Sequence, residues 1–194
     1  CKMVTVVHQT DLYRPHQDPD DHWDLACQYA LAKLGRQRLG GILLDYPYEG
    51  GPGDPDICAI AQMNRICGMN VPYGIGAEPG KTLSQAAELL LSVLAESPVP
   101  VAVHIVGSCI DVALALNAQP ERFERNCAAI YLHAGAAQDD RQLEYNVALA
   151  PWAYARVHAA PCPVYWLPCF HRVPDWGKED MRIGKHGTFY RFVQ

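Results

Sequence analysis

The sequence predicts an α/β fold: a three-layer αβα sandwich around a Rossmann-like, mostly parallel sheet of about six strands. Three observations predict it. Short apolar runs rich in β-branched residues take turns with segments of helical spacing along most of the chain. Those runs are continuously apolar, the pattern of strands covered on both faces and hence of a parallel sheet. The chain has 194 residues, 49% hydrophobic and 19% charged. A chain of that size buries roughly 70% of its unfolded surface, so a substantial core forms without staples. Disordered and fibrous classes are excluded by the same figures.

In order, residues 4–7 read as the first strand, ending in the polar string His8-Gln9-Thr10-Asp11. Residues 21–34 show helical spacing, with Leu25, Ala26, Tyr29, Ala30 and Leu34 on one side, and Gly40-Gly41 is expected to stop that helix. Residues 42–44 form the second strand, followed by Asp45 and a Gly/Pro loop, 46–55. Asp54 or Asp56 is expected to cap a helix through Met63 and Ile66, closed by Gly68. Residues 71–75 are the third strand, and Thr82 is the expected N-cap of an amphipathic helix, 83–94. Residues 99–106 are the fourth strand, apolar apart from His104, leading through Gly107-Ser108-Cys109 into a helix at 112–116. Residues 128–133 are the fifth strand. A helix is expected after Pro151, and 164–167 form the sixth strand. Residues 1–170 are therefore assigned to the α/β domain, and 171–194 to an irregular polar segment with no complete strand–helix unit.

Charge and composition narrow the function. The net charge is −5 and the pI about 5.9, which argues against a partner bound by neutralising nucleic-acid phosphates. No apolar run spans a bilayer, because the most hydrophobic stretch, 99–116, is interrupted by His104 and Asp111. Location stays open: the cytoplasm is slightly favoured over a lipid-anchored or secreted protein, either of which would follow if Cys1 were a processed N-terminus. The eight cysteines do not imply a disulfide scaffold in a chain this long. Cys162, Cys169 and His171 lack a CxxC pair and a suitably spaced fourth ligand, which argues against structural zinc.

Ligands of such sheets sit outside the carboxyl ends of the strands. That rule picks out Asp11, Asp45, Glu78, Gly107 and Gly135 by position alone. The segment 10–24 adds a chemical signal, for it carries five aspartates in fifteen residues. Crowded carboxylates repel unless a cation offsets them, and hard oxygen donors suit Ca²⁺ or Mg²⁺. The competing reading is that Asp18, Asp20 and Asp21 cap a helix and favour its dipole. Both readings stand at this point. His104 reads as a core or pocket-floor histidine, and Trp23 as packing.

A strand ending in Asp11, then a loop closing on Pro19-Asp20-Asp21, resembles the D-x-D-x-x-x-D-D signature of nucleoside hydrolases, in the T-D…P-D-D variant. Ile105-Val106-Gly107-Ser108-Cys109-Ile110-Asp111-Val112-Ala113-Leu114-Ala115-Leu116 resembles that family's G-P-L-T-N-x-A-x-A-L. Glu144-Tyr145-Asn146-Val147-Ala148-Leu149-Ala150-Pro151-Trp152-Ala153 resembles E-x-N-x-x-x-D-P-E-A. The three motifs occur in the family's order, and the match spans about residues 4–168. The resemblance implies a Ca²⁺-dependent hydrolase that cleaves the N-glycosidic bond of ribonucleosides to ribose and free base. Asp11 would bind Ca²⁺ and activate water, and Asp21 and the Ile110 carbonyl would bind the metal. Asp20, Glu144 and Asn146 would bind ribose hydroxyls; Asp45 stands near where the family often has an Asn and is grouped with them. The implied partner is a ribonucleoside or related N-riboside, with homo-oligomerisation left open.

The chain departs from the family in three ways. Loop 12–19 is long and carries Tyr13, Arg14 and His16. The family's second-half Asp ligand, usually preceded by His, is not found. The family chain is longer, so its C-terminal part is expected to be missing. These departures motivate an alternative, a non-catalytic member binding a ribosyl or sugar ligand. A third reading is a Mg²⁺-dependent phosphotransferase with Asp11 as nucleophile.

Overall fold

A computed structural model of the chain describes residues 3–12, 20–46, 55–136 and 143–168. The expected irregular segment 171–194, most of loop 12–19, Asp18 and Asp54 lie outside the described residues. Six strands form one all-parallel sheet in the order β3-β2-β1-β4-β5-β6. They are β1 (Val4–Thr10), β2 (Gln37–Leu44), β3 (Tyr73–Ile75), β4 (Val101–Ile105), β5 (Cys127–Leu132) and β6 (Val164–Trp166). Helices α1 (Asp20–Lys33) and α2 (Pro55–Cys67) cover one face; α3 (Gln85–Glu96), α4 (Ile110–Ala118) and α7 (Pro151–His158) cover the other. Two short helices, α5 (Pro120–Asn126) and α6 (Tyr145–Leu149), complete the described elements. Three layers and a parallel sheet are what the unbroken apolar strands call for.

Each face has its own core. Leu25, Tyr29, Ile42, Leu44 and Ile60 fill the α1–α2 side. Val7, Leu90, Val103, Val112, Leu116 and Ile130 fill the α3–α4–α7 side. Helix α4 is buried almost all round, from Asp111 to Leu116, because α3 and α7 both pack on it. That explains why residues 112–116 are uniformly apolar rather than amphipathic.

Several boundaries correct the sequence reading. Helix α1 stops at Lys33, not at Gly40-Gly41. Gly35 adopts φ +67°, its N–H bonds to Ala32 O and Arg36 N–H to Leu31 O, which is a Schellman end. Gly40 and Gly41 lie inside β2 instead. The N-cap of α3 is Ser84, not Thr82; its Oγ accepts from Ala87 N–H at 3.0 Å. Helix α2 opens on Pro55, with Asp56 buried in its first turn. Helix α6 and the short α5 are not anticipated in the sequence, since neither has enough turns to show a period.

The sheet order reverses direction between β1 and β4. Connections leaving those two strands go to opposite sides, so a crevice opens at their carboxyl ends. Asp11 follows β1 there, and Gly107-Ser108 follow β4.

Candidate active site

The crevice is held together by side chains that bridge strand ends. Gln9 Nε2 donates to Asp45 Oδ1 at 2.9 Å, and Gly107 N–H donates to Gln9 Oε1 at 2.9 Å. Ser108 donates twice to Asp45, from N–H to Oδ2 at 2.8 Å and from Oγ to Oδ1 at 2.5 Å. Asp45 thereby ties β1, β2 and the β4–α4 turn into one unit. Gly107 is demanded by closeness: a Cβ there would sit 2.8 Å from Asp45 Oδ2 and 2.9 Å from Asp11 N.

Asp21 reaches back from the start of α1 to the end of β1. Its Oδ2 accepts from Thr10 Oγ1 at 2.5 Å and from Asp11 N–H at 3.1 Å. Asp20, half-buried, accepts from Asp21 N–H at 3.0 Å. Asp20 lies at the start of α1 and bonds the N–H of Asp21, whereas the Asp21 carboxyl turns toward the end of β1. Asp11 is 7% exposed. Its carboxyl is pushed far above the ordinary range by burial first, then by its contact with Asp21, then by the charges of Asp45 and Asp20. Every influence on it acts in that one direction.

A pocket of about 320 Å³ opens beside this cluster. Of the residues singled out in the sequence, Asp11, Asp45 and Ile110 line it, as does Glu78; Asp20 and Asp21 stand behind Asp11 and do not. Ile110 is the first residue of α4, and its N–H lies 3.4 Å from Ser108 Oγ. Glu144 and Asn146 lie deeper, on the β5 side. Glu144 caps α6 through bonds from Asn146 N–H to Oε1 and from Gly135 and Val147 N–H to Oε2. Asn146 donates from Nδ2 to Val106 O at 3.0 Å, while its Oδ1 is buried with no partner among the described residues.

Sequence reasoning missed Asp111 as a site residue. It lines the pocket, and its Oδ1 accepts from Ala77 N–H at 3.0 Å and from Ser84 Oγ at 2.5 Å. Its Oδ2 is buried without a partner among the described residues. Burial, then Asp45, push its carboxyl up to about 7, against the two hydrogen bonds. The available signal was a lone acid opening a wholly apolar helix. Tyr46, Lys81, Tyr145 and Trp152 also line the pocket and were not singled out for it. Tyr145 and Trp152 are about half exposed, and Tyr46 Oη donates to Glu78 Oε1 at 3.1 Å.

Among the described residues, no group of three or more His, Cys, Asp and Glu side chains has the arrangement of a complete metal site. No helix of the described residues is long and apolar enough to cross a membrane.

No protein-family model and no curated protein matches this sequence. Solved structures do match in fold. The type III effector protein XopQ, complexed with adenosine diphosphate ribose, is 19% identical with a TM-score of 0.59, over 86% of this chain and 56% of that one. The inosine-uridine preferring nucleoside hydrolase of Bacillus anthracis is 17% identical with a TM-score of 0.56, over 86% and 65%. The purine-preferring ribonucleoside hydrolase of Gardnerella vaginalis is 16% identical with a TM-score of 0.59, over 84% and 60%. The chain therefore has the α/β fold of the nucleoside hydrolases, and it spans less than two thirds of the length of each of these structures.

Proposed function

We propose that the cluster around Asp11 belongs to a Ca²⁺-dependent site that hydrolyses the N-glycosidic bond of ribonucleosides. One observation carries this reading: the buried Asp11 and Asp21 carboxyls meet at the strand switch point, with Asp20 and Asp45 adding to their repulsion. A hard cation relieves that repulsion, and an all-oxygen donor set suits Ca²⁺. Asp11 and Asp21 would hold it, with the Ile110 carbonyl as a further oxygen donor, and other oxygens must complete the shell. Bound there, the ion would orient the ribose diol and lower the pKa of water.

The chain's own residues do the rest. Asp11 takes the proton of the attacking water. Positive charge builds on the ribose as the glycosidic bond breaks, as in glycoside hydrolysis generally, and the base departs with the bonding electron pair and takes its proton from solvent. The surrounding carboxylates stabilise that charge in a site already organised by the Asp45–Gln9–Ser108 bonds. Asp20, which does not line the pocket, supports Asp21 by accepting from its N–H. Asn146 Oδ1, buried and unpaired, accepts a ribose hydroxyl, which would remove a desolvation cost of about 1–3 kcal/mol. Glu144 holds Asn146 and Gly135 in place and offers its remaining lone pairs to the sugar. Asp45 acts mainly by fixing Ser108 and Gln9.

A second reading is a ribosyl-binding protein without turnover. It is favoured by the fold likeness to a structure holding adenosine diphosphate ribose. The test is release of reducing sugar from inosine, uridine and adenosine in the presence of Ca²⁺. The hydrolase reading expects ribose, reduced about 10²- to 10⁴-fold in Asp11→Asn. Saturable nucleoside binding without ribose would give the second reading, and neither binding nor release would sink both.

A further inference from the structure

A second cleft of about 360 Å³ lies on the other face of the sheet, under α1. His8, Asp24, Gln28, His104, Tyr131 and His133 line it. On the sheet the residues form a row, because His8 pairs with His104, His104 with Tyr131, and Tyr131 with Tyr165 in register. The His8 and His104 rings meet edge-on at 6.3 Å, His104 and Tyr131 edge-on at 5.4 Å, and Tyr131 stacks on Tyr165 at 5.2 Å. Tyr131 lines the cleft and is 41% exposed, although its ring is stacked on Tyr165.

His8 is the unusual member. It is 1% exposed, and neither ring nitrogen has a hydrogen-bond partner among the described residues. A buried imidazole normally finds a partner for its N–H. His104 is better defined. Gln37 Nε2 donates to Gln28 Oε1 at 2.6 Å, which leaves Gln28 Nε2 to donate to His104 Nδ1 at 3.2 Å. Nδ1 is thus the acceptor, and the proton of the neutral ring sits on Nε2. His133 Nδ1 is 3.1 Å from Leu167 O, which makes it a donor there. The cleft therefore combines imidazoles with N–H to give, the Asp24 carboxyl, and a flat aromatic wall.

We propose that this cleft is a second binding site, for a neutral planar nitrogen heterocycle that carries both an acceptor and an N–H. The acceptor answers the imidazole donors, the N–H answers Asp24, and the ring face lies against Tyr131. An anion is disfavoured by Asp24 and by the burial that keeps His8 and His104 neutral. The volume holds one or two fused rings. The site is separate from the first pocket, whose lining comes from the opposite face and the strand ends, and the assignment does not depend on the reaction proposed there.

The experiment is calorimetric titration of the protein with adenine, hypoxanthine and uracil, with inorganic phosphate and benzoate as anionic controls. Saturable binding of at least one base is expected, and none of either anion. Tyr131→Ala, at an exposed position, and His104→Leu should each weaken it about tenfold, the effect of one lost contact. Leu149→Trp, at an exposed position lining the first pocket, should leave it intact. ¹⁵N shifts of the His8 and His104 rings on adding base give a readout independent of those variants. The proposal is overturned if no base saturates up to its solubility limit, if an anion binds better, or if Leu149→Trp abolishes binding while His104→Leu does not.

Discussion

Asp11, Asp21 and Asp45 do three different jobs with the same side chain. Asp45 has both oxygens occupied by Gln9 and Ser108, so it builds the site. Asp21 bridges the helix start to the strand end, and Asp11 stands at the pocket under the combined push of its neighbours. Position and residue type were readable in the sequence for all three. Their partners were not, because a hydrogen bond from residue 9 to residue 45 depends on the sheet order and leaves no local pattern. Asp111 escaped for the same reason: it binds Ala77 and Ser84, far away in the chain. His8 provides a prediction at this scale. Burial first, and His104 second, lower its pKa from 6.5 to about 3. The folded protein thus binds fewer protons there than the unfolded chain between those two values. Stability is full above pH 6.5 and is lost as pH falls toward 3, by about 1.4 kcal/mol per pH unit for this one group. Urea titrations across that range should show a steeper acid loss in the wild type than in His8→Leu. Parallel curves would place the acid sensitivity elsewhere.

Elements that run for three turns or more, or that lie as unbroken apolar strands, were legible in the sequence. Strands β1, β4, β5 and β6 and helices α1, α3 and α7 fall where periodicity and apolar runs put them. The misplaced ends have physical causes. Gly40-Gly41 reads as punctuation, yet the left-handed turn that ends α1 uses Gly35, and the glycine pair serves a strand on which α3 packs. Thr82 and Ser84 are both competent caps. Ser84 is the one used, and its hydroxyl both accepts from Ala87 N–H and donates to Asp111. That double use predicts a cost. Ser84→Ala should lower unfolding free energy by about 1–2 kcal/mol, loss of a cap plus a buried carboxylate left short of a donor. Chemical denaturation measures it, and a change within experimental error would show that the cap is dispensable. Gly107→Ala should be worse, because its Cβ would meet backbone and Asp45 within 3 Å.

At the scale of the molecule, sheet order 3-2-1-4-5-6 decides where chemistry can occur. The reversal between β1 and β4 brings Asp11, the Ser108 turn and the start of α4 to one crevice. The three motifs singled out in the sequence lie far apart along the chain, yet all three contribute to the same pocket: Asp11 from the first, Ser108, Ile110 and Asp111 from the second, and Tyr145, Leu149, Ala150 and Trp152 from the third. The fold class was readable because parallel sheets leave a strong hydrophobic record. The second cleft was not, since His8, His104 and Tyr131 become neighbours only through strand pairing.

The central claim is that the carboxylates after β1 are assembled for a divalent cation. Calorimetric titration with Ca²⁺ tests it most directly, comparing wild type with Asp21→Asn, which keeps an acceptor for Thr10 and Asp11 N–H but removes the charge. The account predicts saturable Ca²⁺ binding by the wild type, weakened at least about tenfold in Asp21→Asn, the effect of losing one charged ligand. No binding by the wild type, or equal binding by both proteins, would contradict it.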